Sequence, residues 1–207
     1  MSHDVADETI MQLPLLLSLA LIGQVDSVDF DNDVVPILTK AGCNAAACHG
    51  SAAGRGSFKL SLYGGDPAAD YDAIVRHYAG RRIRYDNPWR SLLLAKPTGE
   101  LEHGGDVRLD ADGPHAAAIA KWIEAGAVRE EASPKLLRLE VSAASTFVET
   151  VPSAVQIEAV AVYDGGERRR VNDLAVFTAD DQAAIHVTES GKGTIKRRGQ
   201  HNIVVRF

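Results

Sequence analysis

Both cysteines of the chain lie in one short stretch, Gly42-Cys-Asn-Ala-Ala-Ala-Cys-His-Gly50, and His49 follows Cys48 directly. Two thiols with an adjacent imidazole are the donor set of the Cys-x-x-Cys-His motif, which attaches haem covalently. Each thiol adds across a porphyrin vinyl group, and the neighbouring His is held under the iron as proximal ligand. Here four residues separate Cys43 from Cys48 instead of two. On an α-helix positions i and i+3 differ by about 60°, whereas i and i+5 differ by about 140°. The two thiols therefore cannot share a helical face, and Asn44–Ala47 is expected to bulge, which three small alanines permit. Two other chemistries fit the same thiols. They could close a disulfide if a turn brings their Cα atoms to about 4.4–6.8 Å, or form half of a zinc site completed by His49 and another His. A bare pair of thiols gives no role to the adjacent His or to Gly50.

Sulfur is scarce elsewhere. The only methionines are Met1 and Met11, so a Met cannot serve as second axial ligand in the body of the protein. The imidazoles left in the first segment are His77, His103 and His115. No phosphate-binding Gly-x-x-x-x-Gly-Lys-Ser/Thr, His-Glu-x-x-His or Gly-x-Ser-x-Gly motif occurs. The basic runs Arg168–Arg170 and Lys196–Arg198 lack interleaved aromatics and read as solvated strand and turn residues, not a nucleic-acid surface.

The elements that must position these groups fall into two periodicities. Asp31, Asn32 and Asp33 offer caps to a first helix carrying Val34, Val35, Ile37 and Leu38. Glycine-rich chain follows, with helices expected near 67–78 and 88–95. A last helix opens after Asp112, read as its cap, and carries Ala116, Ile119, Trp122 and Ile123 as far as Gly126. After Glu130–Pro134 the period becomes two: 136–141, 155–162, 176–177, 185–187 and 203–207, separated by turn signals. The fold class expected is α + β in separate domains, a mainly α-helical first domain over 30–130, a linker at 131–135 and a β-sandwich over 136–207.

The chain has 207 residues, of which 45% are hydrophobic and 24% charged, with a net charge of −6. That is globular composition. Residues 1–29 hold five acids and no Lys or Arg, so the other 23 acids face all 22 basic residues in a nearly neutral body. Such a balance argues against nucleic acid as a partner. Leu13–Ile22 is an apolar run about half the roughly 20 residues a membrane span needs. It suits the core of a signal segment over 1–29, so the protein is expected to be exported, to the periplasm or cell surface, with membrane association if the leader is retained.

The stretches GCNAAACHG, SAAGRGSFKLSLYGGDPAADYDAIVRH, RSLLLAKPTGELEHGG and KWIEAGA resemble the cytochrome c domain of large secreted multidomain planctomycete proteins. The segment AVFTADDQAAIHVTESGKGTIKRRGQHNIVVRF resembles the second half of the bacterial immunoglobulin-like domain that often follows it. This implies a cytochrome c-like domain and then an immunoglobulin-like β-sandwich. It also implies one covalent haem c on Cys43, Cys48 and His49, with His103 standing where related domains place a distal Met. The function implied is one-electron transfer between unidentified redox partners, by a carrier rather than an enzyme. An apolar haem pocket is expected from Leu38, Phe58, Leu60, Leu62, Leu92–Leu94, Leu109, Ile119 and Trp122, with Arg55, Arg81, Arg82 and Arg84 near the haem carboxylates. The alternative is a non-catalytic extracytoplasmic binding module whose Cys/His cluster holds zinc or a disulfide, with a protein or glycan partner on the sandwich.

Overall fold

In the computed structural model, which describes residues 27–207, regular structure begins at Asp29. Its Oδ1 accepts the N–H of Asn32 at 2.7 Å, while its own N–H donates to Asp33 Oδ2 at 2.8 Å. This reciprocal cap lies just ahead of the Asp31–Asp33 set that the sequence offered. A π-helical turn, Phe30–Val34, runs into α1, Val35–Lys40. Helix α2, Pro67–Tyr71, is capped by Asp66 and continues as a second π-helical turn, Asp72–Arg76. Helix α3, Leu92–Ala95, is separated by the extended Ser91 from a 3-10 turn at Pro88–Arg90. Helix α4, Pro114–Glu124, is the longest, with 11 residues. Its N-cap is Gly113, without a side-chain bond; Asp112 does not cap, and its N–H donates instead to Asp110 Oδ1 at 3.1 Å.

Phe30 ties these pieces together. Its ring lies 5.2 Å from Trp122 of α4 and 5.2 Å, edge-on, from Tyr71 of α2. Val34, Leu38, Ile119 and Trp122 share one buried cluster, so the first helical segment packs against the last.

The strands are all antiparallel. The long β2, Ser153–Tyr163, is the spine of a five-stranded sheet. It pairs with β1, Leu136–Ala143, and β3, Arg168–Arg170, along its second half. Along its first half it pairs with β6, Lys192–Ile195, which carries β5, Ile185–Val187, on its other edge. A separate pair joins β4, Val176–Ala179, to β7, Ile203–Arg206. Burial in β2 alternates through Val155, Ile157, Ala159 and Ala161, as period two requires.

The structure overturns the expected fold class. Among the described residues helix accounts for 23% and strand for 22%, and the first segment is not a mainly α-helical cytochrome domain. Its helices are short pieces on long turns. The reason is local: non-glycine residues with positive φ at Ser57, Tyr63, Tyr78, Ala79 and Asp106 interrupt the chain, and L-residues cannot continue a right-handed helix through such positions. Nor are helix and strand kept in separate units. Leu174 joins the buried cluster of α1 and α4, and Phe207 packs against both that cluster and the sheet cluster of Ala159, Ala161 and Val171. Lys40 Nζ donates at 2.6 Å to both Ala175 O and Glu189 O, and Arg169 pairs with Asp33 at 2.6 Å. The expected linker is tied down as well: Asn32 Nδ2 donates to Pro134 O, and Ser133 Oγ to Asp29 Oδ2. The expected signal core, 13–22, lies outside the described residues; among those described, no helix is long and apolar enough to cross a membrane.

Candidate functional site

The end of α1 sets the position of the first thiol, since the Cys43 N–H donates to Leu38 O at 2.9 Å. Asn44 is then buried, its Nδ2 donating to Thr39 Oγ1 at 2.8 Å. The insert coils back on itself: the N–H groups of Cys48 and Gly50 both donate to Ala45 O, and the His49 N–H donates to Cys43 O at 3.0 Å. Asn44–Ala47 therefore bulges, and Cys48 and His49 return beside Cys43. Gly50 has a steric reason to follow them, because a Cβ there would sit 2.0 Å from Asn44 O.

The His49 ring is fixed from one side. Its Nδ1 lies 3.0 Å from Phe58 O, and the Phe58 ring packs on it at 4.6 Å between centroids. A carbonyl only accepts, so Nδ1 carries the proton and Nε2 is the nitrogen left to a metal. Burial lowers the imidazole pKa, against the opposing pull of the Phe58 carbonyl, which favours the neutral, ligating form at neutral pH. Burial, followed by the neighbouring Cys48, pushes the Cys43 thiol up to about 11.

His103 comes from far along the chain, on a loop whose stems are held at Pro97 O by the N–H groups of Arg108 and Leu109, and at Ala95 O by that of Leu101. Its Nδ1 lies 3.3 Å from Asp106 O. The two imidazole centroids are 6.2 Å apart with their planes 12° from parallel. The pair is stacked, toward the long end of the range for such contacts. Two imidazoles this close can meet one shared ligand.

Around this pair lies a cleft of about 360 Å³. Leu38, Phe58, Leu60, Leu92, Leu93 and Pro97 form its apolar walls, with Cys43, Cys48, His49 and His103. Its other charged lining groups are all cations: Arg55, Arg81, Arg82, Lys96 and Arg108. A flat, apolar, dianionic metal macrocycle is the kind of ligand that such walls and charges complement. The residues present fit haem.

The structure does not bring every predicted residue here. Leu62 is exposed, and Leu94, Leu109, Ile119 and Trp122 are buried in the core without lining the cleft. His77 is exposed beside a different cavity, and His115 stands at the start of α4. Arg84 pairs with Asp86 at 2.7 Å instead. Lys96, Pro97 and Arg108 were not anticipated; nothing in their spacing marks them, because the fold alone carries them to the rim.

Arg82 is the unusual member. It is 7% exposed, with Nη1 donating to Ala73 O and Nη2 to Ser57 O, each at 2.9 Å. Its guanidinium lies over the Phe58 ring at 4.3 Å and the Tyr78 ring at 5.3 Å. Burial and then Arg81 lower its pKa from the ordinary arginine value, and an arginine remains charged at neutral pH.

Both cysteines are free thiols. Among the described residues, no group of three or more His, Cys, Asp or Glu side chains is placed to hold a metal ion, whereas structural zinc takes four such ligands. Haem iron needs only two from the protein. Compared with known proteins, the chain matches no family model and no curated protein.

Proposed function

We propose that the protein is a c-type cytochrome module, with one haem bound covalently through Cys43 and Cys48 and its iron held between His49 and His103. The observation that carries this reading is the 6.2 Å spacing of two nearly parallel imidazoles across an apolar cleft that opens beside both thiols. Haem supplies a one-electron couple, iron(III) to iron(II). The chain supplies the rest. Phe58 O holds the His49 tautomer, the leucine walls keep water from the metal, and Arg55, Arg81, Lys96 and Arg108 offset the carboxylates of the cofactor. Were His49 and His103 both to hold the iron, no place for substrate would remain on it, and the module would carry electrons between partners and not act as an enzyme. The resemblance to secreted planctomycete cytochrome c domains supports this reading and, with it, a location outside the cytoplasm.

The test is expression with an active c-type maturation system, followed by intact mass and a pyridine haemochrome spectrum. One covalent haem per chain with a low-spin spectrum is expected. The double variant Cys43→Ala/Cys48→Ala is expected to lose covalent attachment, and His103→Ala to turn the spectrum high-spin. Wild-type chain recovered at its bare polypeptide mass would overturn the reading.

A further inference from the structure

Arg82 is a buried cation without a carboxylate partner: none of the ion pairs among the described residues includes it. Its two hydrogen bonds go to neutral carbonyls, Ala73 O and Ser57 O. An unneutralised buried charge is costly to keep, and a solvated lysine would serve any surface role at less expense. Its location gives it a use. Arg82 lines the cleft, and it covers the face of Phe58, the residue that both packs on the His49 ring and accepts its Nδ1 proton. The guanidinium is therefore placed to act on His49 in two ways, through its field and through the ring it clamps.

We propose that Arg82 is a positioning and potential-setting residue, which raises the tendency of the bound iron to accept an electron and locks the His49 plane through Phe58. The inference rests on the haem reading above. In the step concerned, one electron passes from a one-electron donor to iron(III), giving iron(II); no bond breaks and no proton moves, while the positive charge at the metal falls by one. A fixed cation nearby disfavours the more positive state. It therefore opposes the low potential that two His ligands in place of His and Met impose. A unit charge about 12 Å away, in a medium of effective dielectric about 20, shifts such an equilibrium by roughly tenfold, and a closer one by more.

The experiment is a spectroelectrochemical titration of purified holoprotein, with electron paramagnetic resonance of the oxidised form. Arg82→Gln is expected to retain covalent haem and a low-spin spectrum. Its reduction equilibrium should move about tenfold toward the oxidised form, about 59 mV for a one-electron couple. Arg82→Lys should recover most of that shift, and Arg84→Gln, at an exposed arginine paired with Asp86 and outside the cleft lining, should change it less than twofold. A low-spin Arg82→Gln holoprotein titrating within twofold of wild type overturns the proposal. If Gln at position 82 prevents maturation, Phe58→Leu carries the test. It leaves the guanidinium but removes the ring, so the low-spin g-values should change, and unchanged g-values overturn the positioning role. Wild-type chain without covalent haem is a different outcome, since it removes the cytochrome reading itself.

Discussion

At the scale of single residues, Gly50 shows how little room the thiol loop has. A methyl group there would stand 2.0 Å from Asn44 O and 2.6 Å from its carbonyl carbon, a backbone collision that no rotamer relieves. Gly50→Ala is expected to destabilise the protein by on the order of 3 kcal/mol, measured by chemical denaturation, and to lower the yield of attached haem. Gly105 is a milder case. Its missing Cβ would lie 3.0 Å from His103 Cε1, so Gly105→Ala should displace the ring and raise the high-spin fraction, read from the absorption spectrum, without unfolding the chain. The motif made Cys43, Cys48 and His49 legible because they are neighbours in sequence. Arg82 was legible only as one of several basic residues, since spacing says nothing of which arginine is buried.

At the scale of elements, amphipathic stretches were readable and short pieces were not. The run Ala116–Ile123 marked α4, and the alternation over 155–162 marked β2. Strand β6 was hidden, because Gly191-Lys-Gly-Thr reads as a turn, and only its pairing with β2 and β5 makes it a strand. Charge pairing across the sheet gives a test at this scale. Glu140 of β1 is bound by Arg168 of β3 and by Arg138, and these, Arg168 first, hold its carboxyl at about 2, against an ordinary 4.5. A folded-state pKa below the unfolded one stabilises the fold above the unfolded value, and the contribution fades as pH falls through the folded one. Glu140→Gln should therefore be less stable than wild type at pH 7. In thermal melts the gap should narrow from about pH 4.5 downward and close near pH 2; a gap independent of pH would exclude this ion pair as its source.

At the scale of the whole molecule, the strands do more than follow the thiol segment. Lys40, the last residue of α1 and shortly before Cys43, donates to carbonyls at Ala175 and Glu189 across the junction. Burial lowers its pKa, opposed by Glu189 and Asp173. Replacing it with Met leaves two carbonyls without their charged donor, and a loss of about 2 kcal/mol is expected. One cooperative transition is expected in both proteins, because Leu174 and Phe207 link the two cores; two separate transitions in wild type would contradict this. That two thiols and an imidazole share one short stretch follows from sequence alone, as does the confinement of methionine to positions 1 and 11, because covalent adjacency and composition need no fold. Only the tertiary structure set His103 at 6.2 Å from His49, placed cations around the cleft and buried Arg82. Those positions depend on which distant turns pack together, and packing among distant segments is decided by the burial of the whole core.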